Sequence, residues 1–219
     1  FNNSLVSFII LKYLHLLGFV YWLGGDLGTF LASRQVVRTD LSSEARQTAL
    51  SILLACDLGP RLAMPMMLPL GVHMAGLLGY ASFSFDIVVG CWILGVFWFS
   101  LVLIQHYWTK SPGWLPLLDR WLRRLVVIIG LVYGLSLINT SAEWLGWKLS
   151  IFALMVWCGL MVRNELTPFF PAYAKMVSEG PDQTSDQTMM DSMSRCRRYV
   201  WCIWIGLFVN GALGVHLIG

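Results

Sequence analysis

Uncharged apolar runs of about 20 residues recur along this chain, and that is the helical length needed to cross the hydrocarbon core of a bilayer. The runs cover residues 5–32, 59–81, 86–107, 122–139, 145–161 and 199–218. Hydrophobic residues make up 57% of the chain and charged ones 12%, whereas a soluble domain carries about 25% charge. The expected fold is all-α: one integral membrane bundle of about six transmembrane helices, without a soluble domain. The first run is longer than the apolar stretch of a signal peptide and is expected to be a true span.

Six crossings put both termini on one side of the membrane. All but two of the 15 basic residues, Lys12 and Lys148, then fall on the opposite side. The positive-inside rule makes that side cytoplasmic. Both termini are therefore expected to be non-cytoplasmic, facing the periplasm if the membrane is a bacterial inner membrane. Because the net charge of +3 is dispersed through short connections, it forms no basic stripe and predicts no nucleic-acid partner. Five scattered cysteines show neither CxxC nor zinc-ligand spacing, which excludes a disulfide framework and c-type haem attachment.

Between the first two runs, Ser42 or Ser43 is placed to cap a short helix leading to Asp57-Leu58-Gly59-Pro60, expected to lie at the interface. Residues 164–197 read as a polar connection, part helix and part flexible loop.

Ionisable groups inside a span cost several kcal/mol unless they have a partner or a task. In the first helix Lys12, His15, Phe19, Trp22 and Asp26 recur at steps of 3 and 4 and so share one face, with Gly18, Gly25 and Gly28 near the same stripe. A second stripe runs Arg61, Pro65, Pro69, His73, Gly76, Tyr80. At about 1.5 Å rise per residue, His15 and His73 reach comparable depths on antiparallel helices, so the two imidazoles are expected to face each other. A neutral imidazole nitrogen binds haem iron, and Lys12, one turn outward, is placed for a propionate. The competing reading of each histidine is a structural hydrogen bond between helices.

His106 and His216 sit near span ends, where interfacial anchoring is expected. Asp26 reads either as an ion pair with Arg34 or Arg61 or as a proton relay. Lys148, at the outer start of the fifth span, is expected to snorkel to the surface. Copper is the alternative metal, since His15, His73, Met66, Met67 and Met74 supply imidazole and thioether donors that suit Cu(I).

The pattern Lys12-x-x-His15 followed by Trp22-x-x-Gly25 resembles the opening helix of the superfamily containing copper-resistance protein D and the membrane-type protoporphyrinogen oxidase. Pro65, Pro69 and Gly76 look like that family's second helix. His106, Trp147-Lys148 and Arg198 resemble later family positions. The resemblance implies b-type haem held by His15, or copper movement. The chain departs from the oxidase pattern in its six spans and in carrying Gly28-Thr29-Phe30 where Pro-Arg follows the glycines. Four functions remain open: a b-haem electron-transfer protein, alone or beside a larger membrane redox complex or periplasmic electron carrier; a protoporphyrinogen-oxidase-like enzyme; a copper transport protein; and a structural subunit without cofactor.

Overall fold

The computed structural model describes residues 3–79, 83–108, 112–215 and 217, all as helix, turn or coil. Seven helices follow one another: α1 Asn3–Val36, α2 Ser43–Leu77, α3 Phe85–Tyr107, α4 Trp114–Ser136, α5 Glu143–Glu165, α6 Phe169–Glu179 and α7 Gln183–Gly214. Four stretches are long and apolar enough to cross a membrane: Ser4–Val36, Ser43–Leu77, Phe85–Tyr107 and Glu143–Glu179. This is the build expected of an integral membrane protein. The apolar part of α4 is interrupted by Asp119, Arg120, Arg123 and Arg124, and the first half of α7 is polar.

The expected interfacial helix and second span form one helix. Ser42 caps it, its side chain accepting from the Ala45 N–H at 3.3 Å. It then runs 35 residues through Pro60, Pro65 and Pro69. A proline inside a helix leaves the carbonyl four residues earlier without its donor, and its ring crowds the same turn. At Pro60 and Pro69 the defect is met by a glycine from a neighbouring helix. A Cβ on Gly25 of α1 would press on the Pro60 ring and come within 2.7 Å of the Cys56 carbonyl, the one Pro60 cannot satisfy. On the other side of α2, a Cβ on Gly95 of α3 would lie 2.7 Å from the Pro69 ring and 3.0 Å from the Pro65 carbonyl, which Pro69 leaves free. The prolines therefore do not end the helix. Backbone approach of this kind is the main packing device where lipid removes the hydrophobic drive between helices.

About 52 Å of helix results at 1.5 Å per residue, well beyond a hydrocarbon core of about 30 Å. The surplus goes into a second, smaller core outside the main one. There the ends of α1 and α2 meet α6 and the polar half of α7 through Val36, Leu50, Phe169, Met176, Met189 and Met193. Arg46 is wholly buried in it, with Nε donating to the Val36 carbonyl at 2.8 Å and Nη1 pairing with Asp186 at 2.8 Å. The connection expected to be partly flexible is thus an ordered helical pair. The main core is built on Trp22, Met64, Trp98, Leu122, Phe152 and Leu207.

α5 is the axis of the second half. α4 runs antiparallel to it, joined by Arg163 and Asp119 at one end and by close backbone approach of Gly134 and Gly146 at the other. α7 runs antiparallel on another side, from Ser192, whose hydroxyl donates to the Glu165 carbonyl, to Asn210, whose Nδ2 donates to the Lys148 carbonyl.

Candidate functional site

His15 lies on α1 with its Cε1 3.6 Å from the position a Cβ on Gly71 would take, so the imidazole rests on the α2 backbone where no side chain intervenes. Its Nδ1 is buried and has no hydrogen-bond partner. Lys148 of α5 is close enough to act on it electrostatically. The Lys148 ammonium stands against Gly214 of α7, 2.7 Å from where a Cβ would be, and 5.9 Å from the Trp144 ring centre. Asn210 donates to the Lys148 carbonyl at 3.3 Å while its own Oδ1 is buried without a donor. Four helices thus bring an imidazole, an ammonium group and an amide oxygen to one end of the bundle. The Phe19 ring lies beside them, 3.9 Å from where a Cβ on Gly211 would be. Further in, Trp22 is 1% exposed and stands edge-on to Phe152 at 6.3 Å. It forms an aromatic floor beneath the polar group.

The helix faces explain this grouping. The α1–α2 seam is closed, for a Cβ at Gly18 would meet the Met67 sulfur at 2.8 Å. Across the bundle, α1 meets α5 and α7 through side chains such as Trp22 and Phe19.

His73 is not part of this group. Gly71 and His73 are two residues apart on α2, about 200° around the helix. His73 turns instead to α3, where the Trp92 indole N–H donates to its Nδ1 at 3.3 Å, the rings edge to face. An Nδ1 that accepts leaves the proton of a neutral imidazole on Nε2, so neither nitrogen offers a lone pair to iron. The expected facing pair of His15 and His73 does not form, because depth was matched but azimuth was not. Lys12 is exposed, outside the polar group.

Asp26 also departs from expectation. Arg34 lies over the Phe30 ring at 4.8 Å and Arg61 pairs with Asp57 at 3.4 Å, while Asp26 keeps company with Trp22 and Asp57 and has one buried oxygen unpartnered. His106 stacks edge-on against Tyr107 at 4.8 Å near the end of α3. His216, Tyr80 and Lys110 fall outside the described residues.

One buried cluster was not foreseen at all. Asp119 of α4 is 0% exposed and accepts from Trp98 Nε1 at 3.0 Å, Arg123 Nε at 3.0 Å and Arg163 Nη1 at 2.8 Å. Arg123 continues to the Met64 sulfur at 3.2 Å, so one carboxylate ties α2, α3, α4 and α5 together. The i,i+4 spacing of Asp119 and Arg123 was the available sequence signal.

Among the described residues no three His, Cys, Asp or Glu side chains converge as a metal site. Met64 accepts from Arg123, and Met67 packs against the Gly18 backbone of α1. His15 fits a single axial ligand, with Lys148 beside it for a propionate; a bis-histidine site with His73 does not fit.

No protein-family model, curated protein or solved structure matches the chain.

Proposed function

We propose that this chain is a six-crossing membrane protein with both ends outside the cytoplasm, and that it binds b-type haem at His15 and passes electrons. Its partner would be a larger redox complex of the bacterial inner membrane or a periplasmic electron carrier. The crossings are α1, α2, α3, α4, α5 and α7. The antiparallel packing of α4 and α7 along α5 supports this count, because helices that run beside a spanning helix over its length cross with it.

The observation that carries the haem reading is the buried, unpartnered Nδ1 of His15 beside Lys148. An unpaired polar atom at membrane depth costs several kcal/mol and calls for a partner. Haem would supply the one-electron chemistry. His15 would hold its iron, Lys148 would neutralise a propionate, and Trp22 would close the inner side. Copper has weaker support, since the Nδ1 of His73 accepts from Trp92 and no three metal-ligating His, Cys, Asp or Glu side chains converge among the described residues.

The test is the absorption spectrum of the purified protein. A Soret band that is lost in His15→Ala and weakened in Lys148→Ala, with both variants still inserted, supports the assignment. A protein purified without chromophore from haem-sufficient cells overturns it, and bound copper or no metal at all then selects between transport and a structural subunit.

A further inference from the structure

A pocket of about 130 Å³ lies between the start of α4 and the end of α5, lined by Arg120, Arg124, Trp157, Leu160, Arg163 and Asn164. Its charge is not balanced by the fold. Arg163 shares Asp119 with Arg123, and among the described residues that carboxylate is the one acid ion-paired with these groups. Arg120 and Arg124 are exposed and have no carboxylate partner among the described residues. Of the three guanidinium groups lining the pocket, only that of Arg163 has a carboxylate, and it shares that buried group with Arg123. Arg124 lies over the Trp121 ring at 4.8 Å, a contact that orients the guanidinium plane while leaving its N–H edge free.

The surroundings are those of a membrane boundary. On one side Trp114, Leu117, Trp121, Leu125 and Ile128 project from α4, all half exposed or more, and Trp157 is 43% exposed on α5. Tryptophans at this level belong to the aromatic belt between headgroups and acyl chains. A soluble anion would use the arginines but would leave the apolar wall of Trp157 and Leu160 without a role. A ligand with a phosphate and attached acyl chains uses both.

We propose that this pocket binds the phosphodiester headgroup of an anionic phospholipid, with Arg120, Arg124 and Arg163 on the phosphate oxygens and the acyl chains along Trp157 and the outer face of α4. Basic pockets between membrane helices recognise lipid headgroups in this way, and guanidinium groups match phosphate oxygens two at a time. The inference is independent of the haem assignment and needs only that α4 and α5 lie in the bilayer.

The experiment compares the purified protein in nanodiscs of phosphatidylcholine alone with nanodiscs that also contain phosphatidylglycerol. It reads co-purifying lipid by native mass spectrometry and stability by thermal melting. The wild type should retain phosphatidylglycerol selectively and melt higher in its presence. Arg120→Gln with Arg124→Gln should weaken retention roughly 30-fold, while Arg120→Lys with Arg124→Lys should keep most of it. Because both side chains are exposed, neither double variant disturbs the core. Equal retention by the glutamine variant, or the same stabilisation by inorganic phosphate in phosphatidylcholine nanodiscs, would overturn the proposal, the second by assigning the pocket to a soluble anion.

Discussion

Asp119 and Arg163 face each other from neighbouring antiparallel helices, with Oδ2 2.8 Å from Nη1, and the carboxylate also holds Arg123 and the Trp98 indole. Every lone-pair direction on the buried acid is used, so the cluster stabilises only while it is complete. Asp119→Asn removes the charge that Arg123 and Arg163 share and leaves two guanidinium groups inside the bundle. Breaking one partner of a buried pair costs about 3–5 kcal/mol. The variant should melt far below the wild type or fail to accumulate, as read by thermal unfolding in detergent.

The proline–glycine contacts predict a sharp contrast between adjacent positions. At Gly25 an added methyl meets the Pro60 ring and the Cys56 carbonyl, neither of which can swing away, while at Gly24 it meets nothing within 4 Å. Gly25→Ala should destabilise by about 1–3 kcal/mol through overpacking. Gly24→Ala should be neutral or stabilise by up to about 1 kcal/mol, because alanine loses less backbone freedom in a helix. Equal melting temperatures for the two variants would refute the contact.

Helix positions were legible because apolar length is a local property of the chain. Among the described residues all six runs lie within helices, apart from 78, 79, 137–139, 215 and 217 at their ends. What local reading missed were continuities and azimuths. Pro60 reads as a stop, and only the glycine brought by α1 shows why the helix continues. His15 reads as a polar group inside a span, but the charge that acts on it is Lys148, 133 positions away, which reads by itself as a snorkelling lysine. His73 was matched to it by depth, and no sequence rule fixes which way an imidazole points around a helix packed on two sides. The Asp119 cluster needs four helices to be seen.

Outside the membrane, acidity should loosen the junction of α6 and α7. Asp182 caps α7, accepting from the N–H groups of Thr184 at 2.9 Å and Ser185 at 3.0 Å and from the Ser185 hydroxyl, and it pairs with Lys175 at 3.2 Å. These donors, the Ser185 hydroxyl first, hold its carboxyl well below the ordinary range. A depressed folded-state value means that the cap's contribution is fully present above the unfolded value near pH 4 and is lost as pH falls further. Protease susceptibility of residues 166–190 should rise below about pH 4. Asp182→Asn keeps capping ability but should abolish that rise.

His73 offers a test of the haem site by what should not change. If His15 alone supplies imidazole, His73→Ala leaves the amount and spectrum of bound haem at wild-type levels. It should still cost stability through the lost Trp92 hydrogen bond. A double-mutant cycle of His73→Ala and Trp92→Phe should return a coupling of about 0.5–1.5 kcal/mol. A change from low-spin to high-spin iron in His73→Ala would instead make His73 a ligand and require α2 to turn from the arrangement described here.

The crossing count can be decided at two positions. If only α1, α2, α3 and α5 cross, α5 begins on the side where α3 ends, which puts Thr140 in the cytoplasm and Gln183 outside. With α4 and α7 crossing as well, the two positions exchange sides: Thr140 lies outside, and Gln183 stays inside with Gln47. The second arrangement also keeps Arg163, Lys175, Arg195, Arg197 and Arg198 on the basic face. It lets α4 and α7 lie along α5 over their whole contact, from Asp119 to Gly134 and from Ser192 to Asn210. Reporter fusions at Gln47, Thr140 and Gln183 should therefore read inside, outside, inside. A reading of inside at Thr140 together with outside at Gln183 would remove α4 and α7 from the membrane, and with them the proposed six-crossing bundle.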